Sequence, residues 1–209
     1  MTGHIETILR RYPLASVDVV NEAIAEGGNG LRPSPWLTAF GPGYIDMAFH
    51  AARAAAPNTR LVYNDYGCEW ASGDRTRAAH LKLLDGLLAR RVPVDALGLQ
   101  GHLWAFGDRV DQKKLRDFLG AVQDRGLAIL VTELDVDDTG GPMDIGSRDR
   151  AVADEARRFL DVVLDCPATQ AVLTWNLSDR YVDPPENWKW KLLNWRYRKT
   201  LYDARMRRK

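Results

Sequence analysis

The sequence predicts an α/β chain of strand–helix repeats around a parallel sheet, on three observations. Five apolar runs of strand length alternate with segments of helical spacing. The runs are nearly unbroken in Val, Leu, Ile and Ala, which suits strands covered on both faces of a parallel sheet. Loops that follow the runs are long and rich in Gly, Pro, Trp and Asn, notably Gly27 to Pro42 and Leu177 to Leu193; others, such as Arg91-Val92-Pro93, are short.

His4 to Arg11 reads as a helix leading into the first strand, Val17 to Val20. After Pro42 a helix through Ala48 to Ala56 is ended by Pro57-Asn58. Strand Arg60 to Tyr63 comes next. Ser72-Gly73-Asp74 then opens a helix in which Leu81, Leu84 and Leu88 recur at intervals of three and four. Ala96 to Leu99 is the third strand. Leu115, Phe118 and Val122 mark a helix closed by Arg125-Gly126, before the fourth strand, Ala128 to Thr132. Val152, Ala156, Phe159 and Val163 mark another, closed by Cys166-Pro167, before the fifth strand, Ala171 to Thr174. Arg198 to Arg208 reads as a closing helix.

Right-handed crossovers leave few ways to arrange such a chain. A closed barrel of this kind needs eight strands and about 250 residues. Five strands in 209 residues predict an incomplete chain, an open sheet, or a sheet completed by a partner. No glycine-rich fingerprint opens a helix after the first strand, so a dinucleotide fold has no local support.

Composition excludes several classes. The 29 Lys and Arg nearly balance 28 Asp and Glu, so no global field selects a polyanion such as nucleic acid. Basic clusters at Arg196 to Lys199 and Arg205 to Lys209 are read as cations near the C-terminus of the last helix, where the dipole favours them. Cys68 and Cys166 are too few and too distant in sequence to announce a disulfide scaffold. No CxxC or HExxH motif marks a metal site. No stretch nears the roughly 20 apolar residues of a membrane span. The opening Met1-Thr2-Gly3-His4 lacks the basic start and apolar run of a signal peptide.

Two segments run an apolar strand directly into a glutamate: Asp18-Val19-Val20-Asn21-Glu22 and Ile129-Leu130-Val131-Thr132-Glu133-Leu134-Asp135. Retaining glycoside hydrolysis needs one carboxyl to protonate the leaving oxygen and a second to attack the sugar carbon. Each segment has a plainer reading, Asn21-Glu22 as a helix cap with its first-turn acid and Glu133 as a solvated strand end. Between them Gln100-Gly101-His102 ends the third strand. His102 can orient Glu133, Asp135 can hold the other ring nitrogen, and Gln100 can orient Glu22. Asn64-Asp65-Tyr66 and Thr174-Trp175-Asn176 close two further strands. Sugar rings stack on aromatics while their hydroxyls seek amides and carboxylates. Trp36, Trp70 and Trp104 therefore become candidates for outer subsites, and Trp188, Trp190 and Trp195 equally for packing the basic terminal segment. This acid/base chemistry needs no metal and no organic cofactor.

The same stretches, in this order and spacing, resemble glycoside hydrolase family 10, the endo-1,4-β-xylanases. They are Arg11-Tyr12, Asp18 to Ala23, Tyr63 to Tyr66, Gly98 to Leu103, Thr132 to Asp135 and Thr174-Trp175. The resemblance covers residues 4 to 204 and corresponds to the C-terminal part of the catalytic domain. It implies a partial (β/α)8 barrel holding about five of the eight strands, the fourth to the eighth, as a single unit over 1–209. It implies retaining cleavage of xylan, with Glu22 as acid/base and Glu133 as nucleophile, their carboxyls about 5 to 5.5 Å apart. Asn21 then contacts the sugar 2-hydroxyl, Gln100 flanks the acid/base, and His102 with Asp135 tunes the nucleophile. Asn64 belongs to the supporting set, Tyr66 falls near the leaving-group side, and Trp175 forms the platform under the reacting sugar.

The partner implied is a polysaccharide, and the missing barrel portion is expected in the same gene or on another chain. A full-length relative is expected to be secreted. Departures from the pattern are Asn176 in place of a glycine and Val182-Asp183 in place of a Ser-Trp pair that forms an aromatic lid. The family's first three strands, whose Lys, Asn, His and Trp groups grip the non-reducing side, have no counterpart here.

Overall fold

A computed structural model describes residues 1–182 and 197–208. Helix α1 (Thr2–Arg11) leads into β1 (Ser16–Asn21), followed by α2 (Pro35–Phe40), α3 (Tyr44–Ala55), β2 (Arg60–Asp65), α4 (Asp74–Ala89) and β3 (Ala96–Leu99). A three-residue strand β4 (His102–Trp104) precedes α5 (Gln112–Gln123), β5 (Ala128–Asp137), α6 (Ile145–Val163) and β6 (Thr169–Thr174). Every strand pairing is parallel, in the order β1-β2-β3-β5-β6, with β4 lying along the far end of β5. The result is a partial barrel: a curved parallel sheet with helices on its outer side.

The alternation of side chains explains the layers. Leu61, Tyr63, Leu97, Leu99, Ile129 and Val131 point outward and are buried with Phe49, Leu84, Leu87, Phe118 and Phe159 of the helices. The inward set of Val62, Ala96 and Leu130 forms only a small separate cluster. Central strands β2 and β3 are covered on both faces, as their apolar runs predict. The expectation fails at β6, where Val172 is 37% and Leu173 51% exposed. Among the described residues neither β1 nor β6 has a strand on its outer edge, so β6 keeps an apolar sequence without a neighbour to cover it.

Three local predictions are corrected. Residues 197–208 form turns and isolated bridges instead of a helix. Their cations are drawn to fixed acids of the strand and helix beside them, Arg198 to Asp149 and Lys199 to Asp135, which stretches the segment along β5 and α6. The third strand is β3 as expected, but the fourth, expected over Ala128 to Thr132, runs on as β5 to Asp137, where β4 pairs with its far end, so Glu133 lies within the strand. The loop Gly27 to Pro42 contains α2, started by Pro35 after Ser34, whose hydroxyl accepts from Leu37 N–H at 3.1 Å. Trp188, Trp190 and Trp195 lie outside the described residues, as does Asp183. No described helix is long and apolar enough to cross a membrane.

Candidate active site

Parallel strands bring the ends of β1, β2, β3 and β5 to one rim, where the sequence places its candidate groups. Register sets Asn21 beside Asn64 and Asn64 beside Gly98. Asn64 donates both amide protons, to Asn21 Oδ1 at 3.0 Å and Glu133 Oε1 at 2.8 Å. Thr132 Oγ1 donates to Asn64 Oδ1 at 2.7 Å, which fixes the amide's orientation. Gln100 Nε2 donates to Asn21 Oδ1 at 3.2 Å and Glu22 Oε1 at 3.3 Å. Three amides therefore connect the two glutamates, Glu22 through Gln100, Asn21 and Asn64 to Glu133.

Glu22 leaves β1 with φ +53°, an uncommon conformation for a residue with a Cβ and a mark of local strain. Its N–H donates to Asn64 O at 2.8 Å. The next turn is tied down by the buried Asp65, which accepts from Ile24 N–H at 3.0 Å, Tyr66 N–H at 2.9 Å and Tyr63 OH at 2.6 Å. Glu22 Oε2 also meets Arg32 Nη1 at 2.8 Å. The same guanidinium donates to Tyr66 OH at 2.8 Å and sits 5.4 Å from that ring's centre. Tyr66 thus reaches the acid/base candidate through Arg32.

Glu133 is oriented from the opposite side. Its N–H donates to Gln100 O at 2.9 Å, and His102 Nε2 lies 3.4 Å from its Oε2. His102 Nδ1 pairs with Asp135 Oδ1 at 2.7 Å. Burial alone disfavours protonated His102, but the hydrogen bond and charge of Asp135, with Glu133 and Glu69, outweigh it and raise the pKa above the usual imidazole value. Asp18, partly exposed on β1, is also pushed up, first by loss of water and then by the charge of Glu133.

Beneath His102, the wholly buried Glu69 accepts from Gly101 N–H at 2.8 Å, and burial raises its carboxyl above the ordinary range. Trp70 Nε1 donates to His102 O at 2.9 Å and its ring stacks on Trp104, centres 5.4 Å apart. Trp36 lines a cavity of about 430 Å³ together with Asn21, Glu22 and Arg32. Trp175 stands edge-on to His102 at 6.4 Å and is 51% exposed, with an open face. Asn176 takes φ +66°; of residues bearing a Cβ, Asn tolerates that region best, so it can occupy a position suited to glycine.

The structure brings together eight of the expected residues, Asn21, Glu22, Asn64, Gln100, His102, Glu133, Asp135 and Trp175, with Tyr66 at one remove. Residue pattern missed three groups. Arg32 sits in a loop with no periodicity to flag it, Glu69 hides in a short polar turn, and Lys199, 2.7 Å from Asp135, lies in a segment read as helix.

The whole chain, residues 1–209, matches the Glycosyl hydrolase family 10 profile. The chain belongs to that family. Endo-1,4-beta-xylanase 5 of Pyricularia oryzae is 35% identical over 172 residues, which make up 81% of this chain and 40% of that protein. The crystal structure of native xylanase 10B from Thermotoga maritima superposes with a TM-score of 0.86 at 28% identity, covering 100% of this chain and 61% of that one. Xylanase 10B of Thermotoga petrophila, solved in complex with xylobiose, gives a TM-score of 0.85 at 28% identity over the same shares. The family 10 chain described here therefore spans less than two thirds of each of these relatives.

Proposed function

We propose that this chain carries both catalytic carboxylates of a retaining β-1,4-xylanase and turns over xylan only within a completed barrel; alone it is an open fragment that at most binds polysaccharide. The observation that carries the reading is the amide bridge between Glu22 and Glu133 at the rim of a sheet whose two edges are unpaired among the described residues. The relatives' names support the substrate, and their greater length supports the need for completion.

In this reading the chain corresponds to the fourth to eighth βα units, with three preceding units in the same gene or on another chain gripping the non-reducing side. Glu22 protonates the glycosidic oxygen while Glu133 attacks the anomeric carbon and forms a glycosyl-enzyme. Glu22, now ionised, removes a proton from water, which attacks the same carbon and releases Glu133. Asn21 binds the 2-hydroxyl, Trp175 carries the apolar sugar face, and His102 with Asp135 holds Glu133. Arg32 draws Tyr66 and Glu22 together on the leaving-group side. The cycle uses no metal and no organic cofactor.

Autonomous activity is the competing reading, favoured by the presence of both carboxylates and their supports in one chain. Reducing-sugar release from xylan separates the two. The isolated chain should be inactive, and a fusion behind three N-terminal βα units of the Thermotoga maritima enzyme should be active. In that fusion Glu133→Gln should abolish turnover, and Glu22→Ala should lower it by about 10²–10⁴-fold. Turnover by the isolated chain at the fusion's rate would establish autonomy; a folded but inactive fusion would overturn the assignment of function.

A further inference from the structure

The segment 197–208 returns to the rim and inserts a cation behind the Glu133 support. Val136 N–H donates to Lys199 O at 3.4 Å, and Arg198 anchors the segment to Asp149 of α6 at 2.7 Å. Lys199 Nζ then lies 2.7 Å from Asp135 Oδ2, in a pair whose side chains are 18% and 3% exposed. The other oxygen of Asp135 holds His102 Nδ1 at 2.7 Å, and His102 Nε2 faces Glu133 at 3.4 Å. Four groups on three separate segments thus form one line that ends at the carboxylate.

We propose that Lys199 is a positioning residue for Glu133, acting by sharing Asp135 with His102 and so setting how firmly His102 holds its proton beside that carboxylate. Its catalytic meaning rests on Glu133 being the nucleophile; the coupling itself belongs to the folded chain. His102 is faced by Asp135 and Glu133 from β5, by Glu69 from the turn after β2, by the edge of Trp175 and, through Asp135, by Lys199. A cation on Asp135 offsets part of the negative field that His102 feels. Lys199 is itself held protonated: burial opposes its charge, but Asp135, with Asp137 and Tyr197, raises it above the ordinary lysine value. At this spacing in a partly buried site, one charge outweighs most surface pairs.

The test is the NMR titration of the His102 imidazole in the chain as it stands. In Lys199→Met and Lys199→Gln the midpoint should move to higher pH, because the whole field of Asp135 then falls on His102. Lys199→Arg should return it to the wild-type position. Should the neutral variants loosen the terminal segment, the same charge leaves Asp135 and the rise is still expected. An unchanged or lowered midpoint in both neutral variants would overturn the proposal. The measurement needs no turnover, so a chain inactive on xylan still decides it, and failure of the xylanase assignment would leave the shift intact.

Discussion

Asn64 donates a 2.8 Å hydrogen bond to Glu133, 69 residues further along the chain. The contact exists because Gly98, paired with Asn64 in register, has no side chain: a Cβ there would overlap Asn64 Oδ1 and crowd Asn64 Cβ. The glycine of the neighbouring strand thus makes room for the amide that steadies the carboxylate.

Gly98→Ala should therefore destabilise the chain by about 1–3 kcal/mol, the usual range for overpacking an interior. A lowered urea midpoint with an unchanged denaturant slope is the expected result. An unchanged midpoint would mean that Asn64 moves aside at no cost.

His102 supplies a pH dependence with a definite sign. Its folded pKa is raised, so its protonated pairing with Asp135 stabilises the fold fully below the unfolded value of about 6.5 and is lost as pH rises through the folded value. Buried His80 is shifted the opposite way, first by desolvation, so wild type must be compared with His102→Gln at each pH. The gap between their urea midpoints should be wide in mild acid and narrow in mild alkali. A gap that widens with pH would contradict the pairing.

Asn176 spends its left-handed backbone conformation without glycine's freedom. Asn176→Gly should raise stability by about 0.5–1 kcal/mol, read from the urea midpoint. A loss of stability would show that the Asn176 side chain contributes more than its backbone costs.

Exposed Val172 and Leu173 on the edge strand β6 should drive self-association of the isolated chain. Light scattering across concentration should show growing mass for wild type and much less for Leu173→Lys. A wild-type chain that stays monomeric throughout would count against an open, uncovered edge.

Much of this was legible in residue pattern, and for a reason that also explains the misses. An apolar run that gives way to a carboxylate or amide reveals itself locally, so Glu22, Gln100, Glu133 and their neighbours could be found from short motifs in order. The sheet's order followed because parallel crossovers leave few choices. Arg32 and Lys199 act across the fold from segments with no period. Their roles come from the acids they meet, Glu22 and Asp135, which nothing nearby in sequence announces. The closing helix failed on the same ground: tertiary ion pairs overrode the local spacing of Arg198 to Arg208. The exposure of β6 was invisible because an apolar run looks alike whether or not a neighbour covers it.

Covalent trapping shows whether Glu22 and Glu133 serve one sugar. The barrel-completed fusion is treated with an activated 2-fluoro-xylobioside and digested, and the labelled peptide is identified by mass. A single label on Glu133 is expected, absent from Glu133→Gln, with release of the label markedly slowed in Glu22→Ala. A label on any other residue, or release that does not depend on Glu22, would contradict it.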